Sequence, residues 1–286
     1  MQINQSDAPL GAEITGLDLA EPVDSKTFQQ IEDLLHERGV VVFRGQNLTE
    51  DQHIAFSRRF GDLEIHVATQ CLRPGYPEIL VVSNVIEDGK PIGLADAGQY
   101  WHSDLSYIQN PSRGSLLLAR EVPAQDGRVL GETLFASAAY AYDTLPEDLK
   151  ARVETLTAVH GYNYRYQLQN SAGLRGKLSD DQLNKVPDVR HPVIRRHPIT
   201  GRKVLFVNEG FTHAIEGMDP DEGQALLQQL FAHITRPDAL YQHNWQVGDL
   251  LMWDNCLVQH RAIRNYEWPM RRLMHRTTIA GVEQVH

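Results

Sequence analysis

The sequence predicts a mainly β, α+β fold, a sandwich or barrel of short strands with helices on the outside, and three observations carry that prediction. Apolar runs of strand length recur from one end of the chain to the other. Few segments hold a helical period for long, and no linker, repeat or low-complexity run divides the 286 residues. One domain, residues 1–286, is therefore expected.

The elements follow in order. GAEITGLDL reads as short strands, and DSKTFQQIEDLLHERG as an amphipathic helix that starts at an Asp or Ser cap and ends at Gly39. GVVVFRGQ is a buried strand, residues 49–61 (TEDQHIAFSRRFG) a second helix closed by glycine, and PEILVVSNV the next strand. Further strands are expected at SLLLAREVP, GETLFAS, RHPVIRRHP, KVLFVNEG, ALYQHNW, DLLMWDN and RRLMHRTTIAG. Helices are expected at about 137–158 and at DPDEGQALLQQLFAHIT. The polar, aperiodic stretch at about 161–188 is expected to be a lid over a site. Its GLRGKLS is no phosphate loop, because Leu178 follows Lys177 where Ser or Thr is needed, and Ser171 stands where the first glycine belongs.

Composition excludes several classes of function. With 27 Lys and Arg against 37 Asp and Glu, the net charge of −10 argues against an extended nucleic-acid surface. No run approaches a membrane span, and the first residues lack a signal-peptide pattern, so the cytoplasm is the expected location. Cys71 and Cys256 are too few for a disulfide framework; Cys256 reads as a small buried hydrophobe. There is no G-x-S-x-G and no convincing Cys–His signature, which weakens hydrolase readings.

One chemical pattern stands out. His102 and Asp104 in WHSD and His260 in WDNCLVQHRA supply two imidazoles and a carboxylate, the facial donor set of non-haem Fe(II) oxygenases. In an extended segment His102 and Asp104 would share a face while Ser103 points away, and the third ligand would arrive on a return strand. Taken alone the H-x-D pair is weak, since 13 histidines make chance pairings easy and a surface His beside a turn Asp fits equally well. The C-terminal RRLMHRTTIAG adds weight. On a strand Arg272 and Arg276 share one face with Met274, and two guanidiniums near a metal would form an anion site. A basic edge strand facing water is the bland alternative.

These residues resemble a family nearly end to end. LGAEITGLDLAEP, IAFSRRFGDLEIH, WHSDLSY, GETLFAS, HPITGRKVLFVNEGF, LFAHITRP, WDNCLVQHRA and RRLMHRTTIAG together look like the taurine dioxygenase (TauD/TfdA) family of Fe(II)- and 2-oxoglutarate-dependent dioxygenases. The resemblance implies a double-stranded β-helix (jelly roll, cupin-like) core with surrounding helices. It also implies Fe(II) on His102, Asp104 and His260, and a 2-oxoglutarate carboxylate on Arg272 and Thr133. An anionic substrate would meet His66 and Arg276, with Leu105 and Tyr100 beside it.

The implied reaction consumes O2 and 2-oxoglutarate, releases succinate and CO2, and hydroxylates a small organic anion; a dimer or tetramer is implied too. Where taurine enzymes read the amine end of their substrate with Tyr and Asn, this chain has Thr69 and Gly98, so the anion half of the site is kept and the amine half altered. A metal-dependent hydrolase on the same donor set, or a catalytically silent member, are the alternatives.

Overall fold

The computed structural model describes residues 1–95, 98–165 and 187–282. Its backbone is an eight-stranded sheet in the spatial order Gln2–Gln5, Ala12–Thr15, Val40–Phe43, Leu250–Asp254, Gly114–Glu121, Leu273–Ile279, Tyr76–Ser83, Leu72–Arg73. Every neighbouring pair is antiparallel except Ala12–Thr15 with Val40–Phe43. A three-stranded sheet, Leu240–His243, Thr133–Ser137, Val258–Ala262, lies opposite. The two make a β-sandwich of the jelly-roll kind.

Strand periodicity explains why the middle strands read as unbroken apolar runs. In Gly114–Glu121, Leu117 and Ala119 face inward with Val42, Leu251, Trp253 and Met274 toward Phe135 and Val258 of the smaller sheet. Leu116 and Leu118 face the other way, with Val41, Phe43 and Met252, onto Ile31, Leu34, Leu35, Phe56 and Phe60. A strand covered on both faces has no polar side to alternate with.

The covering helices are the two expected near the start. Ser25–Arg38 is capped by Asp24, whose carboxylate accepts the Lys26 and Thr27 N–H groups, and it stops at Gly39, whose φ of 68° suits glycine. Glu50–Arg58 opens with a capping box between Thr49 and Gln52. A further apolar layer gathers helix Pro220–Ile234 and the short helices Ala138–Asp143 and Glu147–Val153.

Three sequence expectations change. The helix at about 137–158 is two short helices broken before Pro146, and its end is the strand Thr157–His160. The residue before a proline disfavours the α region, which accounts for the break. RHPVIRRHP becomes two strands, Val189–Pro192 and Ile194–Arg196, and Gln2–Gln5 forms a fully exposed edge strand that was not anticipated. The strand that carries Arg276 is no basic edge, since it sits between Gly114–Glu121 and Tyr76–Ser83. Most of the expected lid, 166–186, lies outside the described residues.

Candidate functional site

His102 and His260 are brought side by side by the backbone. The His102 N–H donates to the His260 carbonyl at 3.1 Å and the His260 N–H returns to the His102 carbonyl at 2.8 Å, so the rings sit 4.1 Å apart. His260 belongs to the strand Val258–Ala262, fixed in register against Thr133–Ser137 with Phe135 opposite it. Asp104 differs from expectation: pairing ends at His102, and Asp104 opens a turn, residues 104–107, in which Leu105 adopts φ 54°. The side chains still converge, because the Ser103 hydroxyl points away to the Asn255 carbonyl at 2.8 Å. Asp104 Oδ1 lies 3.5 Å from His102 Nε2 and 3.9 Å from His260 Nε2. All three residues are buried.

Hydrogen bonds prepare these atoms as ligands. His102 Nδ1 is 2.9 Å from the Tyr100 carbonyl oxygen, which can only accept, so the ring proton is assigned to Nδ1 and the Nε2 lone pair is left facing Asp104. Burial drives His260 well below its ordinary value and keeps it neutral. Burial would raise the Asp104 carboxyl, but Arg276, His260 and His102 override it and hold it well below the usual carboxylate range. Asp104 Oδ2 is occupied by the Ser115 hydroxyl at 3.0 Å, which leaves Oδ1 toward the rings. The Asn255 side chain braces the turn, accepting the Asp104 N–H at 3.3 Å and the Trp253 indole N–H at 2.9 Å while donating to Ser112 at 3.0 Å. Two imidazoles and one ionised carboxylate on one side of a cleft fit a divalent ion with three positions open.

A second cluster of the same composition, His36, His197 and Asp254, lies within the same span of ligand-atom distances. The ligand atoms of His197 and Asp254 are already used. His197 Nδ1 accepts the Ile199 and Thr200 N–H groups, so Nε2 carries the proton and donates to Asp254 Oδ2 at 2.9 Å. Asp254 Oδ1 accepts the Cys256 N–H at 2.8 Å. This cluster is a structural lock.

Around the first cluster opens a cleft whose lining includes Thr133, Trp245, Arg272 and Arg276. The strand parity expected for the two arginines holds even though the ladder shifts register between Leu273 and Met274. Arg272 is buried, its guanidinium 5.8 Å from the Trp245 ring, and no carboxylate lies within 4 Å among the described residues. Asn84 and Ser83 hold its backbone through its N–H and carbonyl. Arg276 Nη1 reaches both Asp104 oxygens at 3.4 Å, while its buried Nε has no partner among the described residues. Half-buried His66 accepts the Ala68 N–H on Nδ1 at 3.0 Å, so Nε2 holds a proton to donate. Burial, reinforced by Arg276, pushes His66 down to about 4 and keeps it neutral near pH 7.

The remaining expected residues divide. Tyr100 stands beside His102, ring centres 5.1 Å apart, but Tyr100, His66 and Leu105 are all outside the residues that line the cleft, and Thr69 is exposed. Gly98 is a steric requirement: a Cβ there would come within 2.8 Å of the His102 ring, at a backbone φ of 71°. Tyr107 and Phe211 went unseen in the sequence. Phe211 packs 4.6 Å from Tyr107, 5.8 Å from Tyr100 and 6.2 Å from His102, making an aromatic wall beside the ligands. Its only signal was a place in the segment HPITGRKVLFVNEGF.

Comparison with known proteins agrees with this geometry. The family model described as taurine catabolism dioxygenase TauD, TfdA family matches residues 2–278. The chain is 40% identical, over 93% of each chain, to an alpha-ketoglutarate-dependent 2,4-dichlorophenoxyacetate dioxygenase of Cupriavidus pinatubonensis. It is 35% identical to an (S)-phenoxypropionate/alpha-ketoglutarate-dioxygenase of Sphingobium herbicidovorans, over 96% of this chain and 93% of that one. Among solved structures it is similar to AAD-2 in complex with Mn(II) and N-oxalylglycine, with a TM-score of 0.84, 32% identity and 100% of both chains covered.

Proposed function

This chain belongs to the TauD/TfdA family, and from that premise we propose that its cleft hydroxylates a small organic anion with an aromatic or apolar body, using Fe(II), 2-oxoglutarate and O2. One observation carries the reading: Arg272, a buried cation that meets the Tyr266 side chain but no carboxylate within 4 Å among the described residues, opens into the same cleft as His102 and His260. A buried charge is costly unless something pairs with it, and a carboxylate of 2-oxoglutarate is that partner.

His102, Asp104 and His260 would hold the iron, which supplies the oxidising chemistry when bound to 2-oxoglutarate and O2. The chain's own work is placement. Arg272 grips the co-substrate carboxylate and Thr133 adds a hydroxyl. Arg276 and the His66 Nε2–H take the anionic end of the substrate, and Tyr100, Tyr107 and Phe211 flank its apolar part, excluding water beside the ligands. Relatives named for phenoxyacetate and phenoxypropionate support an aryloxy acid, and one named alkylsulfatase, 31% identical, supports an anion preference broader than carboxylates. The hydrolase alternative loses its basis with the family assignment.

The proposal extends to a single domain over residues 1–286, to the cytoplasm, which two free cysteines suit, and to a dimer or tetramer. No helix among the described residues is long and apolar enough to cross a membrane.

The test is succinate formation. With Fe(II), ascorbate and 2-oxoglutarate, aryloxyacetates should raise succinate release above the substrate-free rate more than alkyl sulfates or taurine do. A rate that no anion raises would sink the substrate reading, and no succinate under any condition would sink the co-substrate reading.

A further inference from the structure

Trp245 is fully buried, two residues beyond His243, the strand partner of Thr133. From there its indole N–H donates to Thr133 Oγ1 at 3.1 Å. A hydroxyl that accepts at one lone pair still has its proton to give. With the indole occupying one side of the oxygen, that proton is directed away from Trp245. The indole face meanwhile lies 5.8 Å from the Arg272 guanidinium, within cation–π range. One residue thus touches both groups assigned to the co-substrate and also lines the cleft they share.

The indole is itself held. His243 meets it edge to face at 4.5 Å, and His243 Nε2 is 3.0 Å from the fully buried Asp249, whose same oxygen takes Arg44 at 2.6 Å. Trp245 stands at the inner end of a line of buried polar groups that leads to half-exposed Arg44 and Glu13. A packed, hydrogen-bonded indole fixes two neighbours more firmly than either could be fixed by the backbone alone.

We infer that Trp245 is a positioning residue for 2-oxoglutarate: it orients the Thr133 hydroxyl as a donor to the co-substrate carboxylate and aligns the Arg272 guanidinium beside it. This rests on the reading that Thr133 and Arg272 grip 2-oxoglutarate. Trp245 makes no contact with the co-substrate in this account. Its effect passes through its neighbours; phenylalanine keeps an aromatic face toward Arg272 and loses only the N–H, so what Trp245→Phe costs in affinity must depend on Thr133.

The experiment is a double-mutant cycle on the Mn(II)-loaded full chain, with the 2-oxoglutarate Kd measured anaerobically by calorimetry for wild type, Trp245→Phe, Thr133→Val and the double variant. Each single variant should bind about tenfold more weakly, and the double variant should be little worse than either, because the second change removes a contact already lost. A double loss near the product of the single losses, about a hundredfold, overturns the coupling. Wild-type affinity in Trp245→Phe, with Thr133→Val weakened, overturns the role of Trp245 while leaving the site intact. Wild-type affinity in Thr133→Val instead overturns the assignment of Thr133 on which the inference stands.

Mn(II) affinity should be unchanged in all four proteins, a readout that general damage to the fold would not spare. Should Trp245→Phe fail to fold, site-specific incorporation of benzothienylalanine at position 245 alone swaps the indole N–H for sulfur at nearly the same shape and leaves the Trp253 N–H on Asn255 in place. The same cycle with Thr133→Val then decides.

Discussion

The chain carries two compact clusters of two histidines and one aspartate, and they have opposite fates. In His102, Asp104 and His260, the shorter outer hydrogen bonds fall on the atoms that a metal does not need, Nδ1 of His102 at 2.9 Å and Oδ2 of Asp104 at 3.0 Å, and only the long 3.4 Å contact from Arg276 reaches Oδ1. In His36, His197 and Asp254 they fall on Nδ1 of His197 and Oδ1 of Asp254, and the remaining nitrogen and oxygen of that pair are spent on each other. Composition and distance are alike; what separates a ligand set from a lock is which lone pairs remain unspent. The clusters also cooperate. Asp254 fixes the chain at the residue before Asn255, and Asn255 holds the Asp104 turn.

The sharpest way to break the contrast is His102→Ala, which should abolish Mn(II) binding and succinate formation together. Retention of one tightly bound ion per chain would move the metal to the other cluster. Next in size, Arg272→Ala should weaken 2-oxoglutarate about a hundredfold, the loss of a charge-assisted contact from a dry site, whereas Arg276→Ala should raise KM for the prime substrate and leave co-substrate affinity nearly intact. Equal losses of both affinities in each variant would show that the two arginines have been assigned wrongly.

His197→Ala should cost about 2 kcal/mol of stability by stripping a partner from buried Asp254, with metal stoichiometry unchanged; thermal unfolding and metal titration read the two halves separately. Altered metal affinity with unaltered stability would erase the distinction between lock and site.

The most diffuse test concerns imidazoles held neutral away from either cluster. His53 is pushed down to about 3, His191 and His275 to about 4, chiefly by burial, from an ordinary 6.5. Each binds its proton more weakly folded than unfolded. Their contribution is complete above about pH 6.5 and is lost as pH falls toward 4. Unfolding midpoints that stay level from pH 7 to 4 would contradict this.

Much of this was legible in the residues, for identifiable reasons. Thr49 and Gln52, Asp24 and Gly39 announce helix ends, and runs such as LLMW and SLLLA announce strands covered on both faces. Arg272 and Arg276 could be placed on one face because a two-residue period survives the local register shift. Pieces of two residues, such as Leu72–Arg73, have no period to detect, and Gln2–Gln5 has no buried face to mark it. Ser115, Asn255 and Trp245 were silent because a single polar atom inside an apolar stretch acquires its meaning from a partner far along the chain. Gly98 was read as a lost contact; only the position of the His102 ring shows it to be a needed absence.

The reciprocal pairing of His102 with His260 has a kinetic consequence. Because two main-chain hydrogen bonds already join the ligand-bearing segments, bringing the rings together belongs to folding and not to metal capture. Loading should then proceed as a simple bimolecular step with little heat-capacity change. The amides of both residues should resist deuterium exchange in the metal-free protein as they do in the loaded one, and chelation should strip the ion while leaving the architecture that receives the next one.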